Sequence, residues 1–287
     1  MKLMVSPSKI EDFDHLIDLN INSFLLGFKH LSLYHNFYID INELKSIVAK
    51  YPHIELYISL NKLMHNYDLE LLRRTLNDLS KLKINGVLYD DVAVLNIVKH
   101  LKLDINLIWA ATHQVTNYHT INTLKNNIDG ALISSEISLD EILEIRNNTK
   151  LDLIVPIFGY QIMTTSKRTL ITNYQNHLKI NIRDDLYYLK DEDHIYPVIE
   201  DENGTHILTA DILNGIDEVN LLEEQKINYL YLSSLNLEST LFNQVVAFYQ
   251  DRLNDKKIDI ANLNSLIPNN DSMFLYKESY FKVNAND

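Results

Sequence analysis

A chain of 287 residues with 39 acidic against 26 basic side chains carries a formal charge of −13, which argues against broad adhesion to nucleic acid or an anionic membrane but leaves room for a local basic groove. Hydrophobic residues make up 46%, enough to fill two small domains or one large α/β barrel, and no apolar run approaches the roughly 18 residues of a membrane span. There is no cysteine, so disulfides, thiol catalysis, zinc–thiolate sites and cysteine-ligated iron–sulfur clusters are excluded together.

The N-terminus lacks the basic, apolar, small-residue order of a signal peptide, and the expected localisation is cytoplasmic, with no membrane partner. Residues 2–5 form the first short apolar run, and Ser8 with Glu11 has capping-box spacing for a helix with Ile10, Phe13 and Ile17 on one face. Residues 23–26 make a second strand, expected to end at Gly27, and a second box, Asp40 with Glu43, opens a helix through Ala49. The third strand, residues 55–59, ends at Asn61 and is followed by Leu69, Leu72, Leu76 and Leu79 at helical spacing.

Residues 86–89 run into Asp90-Asp91 before a helix with Val94, Leu95, Val98 and Leu101. The fifth strand starts at Asn106, takes in Trp109 and meets the polar cluster Thr112, His113, Gln114 and Asn117; a helix follows around Ile121 to Asn126. Residues 130–133 are a sixth strand, followed by Ser134-Ser135-Glu136 and a third capping box, Ser138 with Glu141. Residues 151–157 are the seventh. Seven strand–helix units at spacings of about 20 to 32 residues predict a parallel sheet, and their number favours closure.

The eighth strand comes late, at residues 229–232, before a helix from Glu238 to Arg252, which makes residues 158–227 an insertion. Inside it two β-prone runs, 196–201 and 205–208, flank Glu202-Asn203-Gly204, a hairpin signal because Asn and Gly both tolerate positive φ. The expected architecture is one α/β domain over residues 1–253, a TIM-like (β/α)8 barrel with an inserted β-hairpin segment before the last strand. Residues 254–287 form a C-terminal extension packed on the barrel, with a final strand pair at 273–276 and 280–283. Ligands of such barrels bind at the C-terminal ends of the strands, where the polar cluster falls.

Each polar residue there has two readings. Gln114 and Asn117 can hold a planar ligand through their amides or cap the strand-to-helix turn. Asp90 and Asp91 offer an acid/base or metal pair, with capping the expected role of Asp91. Glu136 divides evenly between a pocket role and solvent. Arg168 presents a guanidinium fork for carboxylate or phosphate, set against a surface salt bridge. His113 can shuttle a proton, but His119 is not at metal-ligand spacing from it on one helix face, and no metal site is expected. His206 can be presented to a ligand by the hairpin, and a surface strand position is the expected alternative. Trp109 reads as core.

The residues then fall into an order. Leu60-Asn61, Asp91, Thr112-His-Gln114 with Asn117, Ser135-Glu-Ile-Ser138, Ser166-Lys-Arg168 with Leu170-Ile-Thr-Asn-Tyr174, Tyr196-Pro-Val-Ile-Glu-Asp-Glu-Asn-Gly-Thr-His206, and Phe274-Leu-Tyr-Lys-Glu278 with Tyr280 together resemble the collagenase-like U32 peptidase family over more than 250 residues. The resemblance implies a β/α-barrel-like fold and ligand contacts at Asn61, Gln114, Asn117, Glu136 and Arg168, with His113 and His206 as further possibilities. Where the family has a His-Gly pair and two cysteines after strand seven, this chain has Phe158-Gly159, Ile162 and Thr169.

Members of the family that hydroxylate tRNA, rRNA or ubiquinone precursors often hold an iron–sulfur cluster on four cysteines, which this chain cannot supply, so no such cofactor is expected. The resemblance to short members implies work in 5-hydroxylation of the tRNA wobble uridine. A small anionic ligand, derived from prephenate, would sit at the barrel mouth, and any tRNA contact would be indirect. The alternatives are a non-catalytic subunit partnering a longer, cluster-bearing paralogue, and a genuine collagenase-like peptidase. For the last the sequence offers no mechanism: no cysteine, no Gly-x-Ser-x-Gly elbow and no His-Glu-x-x-His helix.

Overall fold

The computed structural model describes residues 1–180 and 187–277. Its strands in chain order are β1 (Lys2–Ser6), β2 (Ser23–Phe28), β3 (Tyr38–Ile39), β4 (Glu55–Leu60), β5 (Gly86–Tyr89), β6 (Leu107–Trp109), β7 (Gly130–Leu132), β8 (Asp152–Gly159), β9 (Ile162–Ser166), β10 (Tyr187–Asp191), β11 (His194–Asp201), β12 (Gly204–Leu208), β13 (Ile212–Asn214), β14 (Tyr229–Ser233) and β15 (Asn270–Asp271). Strands β1, β2, β4, β5, β6, β7, β8 and β14 are parallel and close into a barrel, since β14 pairs with β1 from Lys2↔Tyr229 to Ser6↔Ser233 and with β8 from Tyr229↔Ile154. Each begins within a residue of the position predicted from the apolar runs, and the late strand at Tyr229 is the one that closes the ring.

Closure follows from burial on both faces. Side chains alternate between an outer core under the helices and a plug inside the barrel. On β4, Leu56, Ile58 and Leu60 face the helices while Tyr57 points inward; on β5, Val87 and Tyr89 face out and Leu88 in. Trp109 lies in the outer core, as its strand position predicted, and Ile108 beside it joins Met4, Leu25, Tyr57, Leu88 and Ile154 in the plug. The interior is therefore packed, and a ligand site is expected at the strand ends.

The capping boxes Asp40–Glu43 and Ser138–Glu141 both form. The one expected at Ser8–Glu11 does not: Glu11 is itself the N-cap of helix Asp12–Asp18, one turn further on, and the Ser8 hydroxyl is left buried without a partner. Strand β2 does not end at Gly27 but continues to Phe28, because both residues pair with β3.

The insertion carries a second, antiparallel sheet in the order β10-β11-β12-β9, built around the predicted hairpin with Asp201 opposite Gly204. Positive φ is needed at Gly204 alone, at 128°; Asn203 keeps ordinary backbone geometry, with its N–H donated to the Asp201 carboxylate at 2.7 Å. A Cβ at Gly204 would overlap the Ser166 carbonyl of β9, so this glycine also lets the two strands meet. Strand β13 turns back antiparallel onto the end of β8, and β15 lies beside it. The expected strand at 273–276 is instead a 3₁₀ helix, Met273–Tyr276. Met273 takes φ 49°, which breaks an extended path, and Met273 and Leu275 bury while Tyr276 donates to Glu218 at 2.6 Å. Residues 280–283 lie outside the described residues. Among the described residues no helix is long and apolar enough to cross a membrane.

Candidate functional site

The C-terminal ends of β4, β5 and β6 deliver Asn61, Asp90, Thr112 and His113 to one side of a cleft of about 600 Å³. The opposite wall comes from β9 and the hairpin turn, with Ile162, Thr165, Lys167 and Glu202, and Tyr34 from the long β2 loop closes one end. The inserted sheet is thus seated over the barrel mouth. Tyr34 donates to or accepts from Thr165 Oγ1 at 2.8 Å and meets the His206 ring edge-on at 5.2 Å, and His30 pairs with Glu202 at 3.0 Å.

Asp90 and Asp91 take different roles although they are adjacent. Asp91 accepts from Ala93 N at 2.9 Å as the cap of helix Val92–Leu101, as expected, and also from Met64 N at 2.8 Å, which ties down the loop after β4. Asp90 is half-buried in the cleft wall. Burial, then the neighbouring Asp91 charge, pushes its carboxyl up to about 6, with His113 opposing. A carboxyl that exchanges its proton near neutrality, in a concave site at the strand ends, is equipped for general acid/base work.

Asn61 lines the cleft while its amide is largely engaged, accepting from Leu33 N at 2.8 Å and donating to Leu33 O at 3.2 Å, so it also fixes the β2 loop. His113 lines the cleft and is held by Glu136 at 3.0 Å; Glu136 stands behind it rather than in the lining. Gln114 is exposed beyond the lining, and Asn117 takes the capping role, accepting from Thr120 N at 2.9 Å. Arg168 is exposed outside the lining, whereas its neighbour Lys167 lies within it, with Nζ 2.6 Å from His65 Nε2. The second cation of the cleft, Lys62, is paired with the buried Asp68 at 3.1 Å.

His206, expected on a strand surface, is 2% exposed. It sits between Thr165 at 3.1 Å and Asp201 at 3.3 Å, because the sheet's inner face is pressed on the β2 loop. Beneath the cleft is a smaller chamber of about 100 Å³ that shares Leu33, Tyr34, Asn61, Thr112 and Ile162 with it. His35 lines this chamber with Nδ1 3.0 Å from Ser6 Oγ, and burial brings its pKa down to about 4. Tyr34, His35, Lys62, His65, Tyr67 and Lys167 are cleft or chamber residues beyond those expected from the sequence. The first two follow a barrel strand and fall under the rule that singled out Thr112 and His113. Among the described residues no three His, Asp or Glu side chains converge to hold a metal ion. The donor set of a cysteine-held cluster is absent from the sequence, so these residues do not fit that group.

Against this geometry, known proteins give the following likenesses. The tRNA hydroxylation protein P2 of Bacillus subtilis (strain 168) is 26% identical over 306 aligned positions, taking in 98% of this chain and 99% of that protein. Among solved structures, the spore cortex-lytic enzyme SleL of Bacillus megaterium QM B1551 is similar at a TM-score of 0.44 and 11% identity, over 90% of this chain and 74% of that one. The GH18 chitinase of Cycas revoluta follows at 0.41 and 10%, over 86% and 99%. Likeness of that degree says nothing about the site. The profile of peptidase family U32 matches residues 8–265, which is most of the sequence, and the chain belongs to that family.

Proposed function

We propose that this protein acts in 5-hydroxylation of the tRNA wobble uridine, binding a small anionic ligand in the cleft at the C-terminal ends of the barrel strands. The observation that carries this is the collinear relation to the tRNA hydroxylation protein of Bacillus subtilis, which leaves almost nothing of either chain unmatched. The cleft supports it: Lys167, His65 and His113 offer cationic or hydrogen-bonding groups, and Asp90 offers a proton acceptor or donor at working pH. Any redox step falls to a partner, for which a longer, cysteine-bearing paralogue is the natural choice, and the work is cytoplasmic.

Deleting the gene in a strain without a second copy is expected to lower 5-hydroxyuridine-type nucleosides in tRNA digests, read by mass spectrometry, and to leave casein and gelatin turnover unchanged. Unaltered hydroxylated uridine would sink the proposal. The ligand's anchor is Lys167 rather than Arg168. Lys167→Ala should weaken binding of prephenate, the parent compound of the donor the family resemblance implies, by roughly tenfold in calorimetry, as loss of one charge-assisted contact does. Arg168→Ala should leave that affinity nearly unchanged, and the reverse ranking would move the anion site out of the cleft.

A further inference from the structure

One edge of the cleft is basic although the chain as a whole is acidic. Acidic residues number 39, yet none occurs between residues 153 and 183, the longest acid-free stretch of the sequence, and Lys167 and Arg168 come from it. Lys167 and Arg168 follow β9 at the cleft's edge. There Lys167 reaches His65, and the His65 ring lies stacked on Tyr67, centroids 5.3 Å apart and planes 24° apart. Tyr67 is 77% exposed, more than any other large hydrophobic side chain among the described residues. Stacking that leaves a ring this exposed adds little to the core; it presents the Tyr67 ring to solvent, with the Lys62 ammonium 5.9 Å from its centroid.

An aromatic platform next to cations is how proteins hold unpaired nucleotides: the bases stack, the phosphates meet Lys and Arg. Asp90 lines the barrel-side wall of the cleft, where an unpaired base carried past the cationic edge can reach it. We infer that this rim binds single-stranded RNA in a loop, with one base stacked on Tyr67, the backbone on Lys167 and Arg168, and a neighbouring unpaired base delivered into the cleft beside Asp90. This rests on the proposed function and makes the contact with tRNA direct.

The test is fluorescence anisotropy of the full chain with a labelled stem–loop RNA whose loop carries unpaired uridines, against a fully paired duplex of the same composition. The stem–loop should bind more tightly. Tyr67→Ala should weaken it roughly tenfold with little change in salt dependence, and Tyr67→Phe should retain it. Lys167→Ala with Arg168→Ala should weaken it and flatten the slope of log K against log salt by roughly 0.7 per charge removed. Lys125→Ala, an exposed cation at the far end of helix Tyr118–Leu124, should change nothing. Equal affinity for duplex, or wild-type binding by Tyr67→Ala protein with an unchanged melting curve, overturns the inference. So does capture of a longer paralogue through Tyr67 and Lys167 with no RNA bound, which would make the rim a protein interface. Loss of hydroxylated uridine on gene deletion without any effect of Tyr67→Ala on RNA would remove this surface and leave the proposed function standing. Unchanged uridine with rim-dependent stem–loop binding would do the opposite.

Discussion

Gly159→Ala is expected to lower stability by about 3 kcal/mol or more, read as a fall in urea midpoint at unchanged slope. Gly159 ends β8 at φ 119°, a region open to glycine alone, and a Cβ there would stand 2.5 Å from the Ser233 carbonyl of the neighbouring β14. Both faults act at one joint. Here the β8–β14 register shifts after Tyr231↔Pro156, β13 returns onto β8 opposite Leu213, and Gln161 donates to the Gly159 carbonyl at 2.9 Å. The chain then leaves the barrel to form β9, so any backbone adjustment moves Ile162, Thr165 and Lys167, which wall the cleft. Ligand affinity should therefore fall further than stability alone explains. A variant with wild-type midpoint and affinity would show that the joint tolerates a side chain.

That joint also marks where the sequence stops being legible. The eight barrel strands were readable because a strand buried on both faces must be apolar throughout, and a run such as residues 55–60 has few other uses. The cleft residues Asn61, Asp90, Thr112 and His113 were readable because strand ends in such a barrel face the ligand side. Past the strand ends the reading weakens, since side-chain direction is then set by single turns. Gln114 and Val115 both bond back to the Ala111 carbonyl, at 2.9 and 3.2 Å, and that turn buries Val115 while leaving Gln114 outside. Asn117 serves as a cap for the same local reason, and a single position separates Lys167 in the cleft from Arg168 outside it. Tyr34 and His35 sit in a loop without periodicity, and what fixes them is tertiary: Asn61 on the Leu33 backbone, and the inserted sheet on Tyr34.

His35 and Asp90 together give an expectation in which two effects oppose within one pH window. His35 is buried, with its pKa brought down by burial from the ordinary 6.5 to about 4, so the unfolded chain binds a proton the folded chain refuses. Its contribution is whole above pH 6.5 and is lost as pH falls toward 4, by about 3 kcal/mol. Asp90 runs the other way. Burial and Asp91 raise it from 3.8 to about 6, so its folded carboxyl keeps a proton that the unfolded one has released. Its contribution is whole below about pH 4 and is lost as pH rises through 6, by on the order of 1–2 kcal/mol once its remaining solvent contact is allowed for. The wild-type protein should therefore show a shallow acid loss from these two groups. Asp90→Asn should be more stable than wild type at pH 7.5, lose that advantage by pH 4.5, and fall more steeply between them; His35→Gln, whatever its absolute stability, should fall less than wild type or rise. Urea midpoints of the three proteins across that range decide it, because the other carboxylates are common to all and cancel in the differences. Parallel profiles for wild type and Asp90→Asn would mean that Asp90 titrates as an ordinary surface carboxylate, and would withdraw it from acid/base work in the cleft.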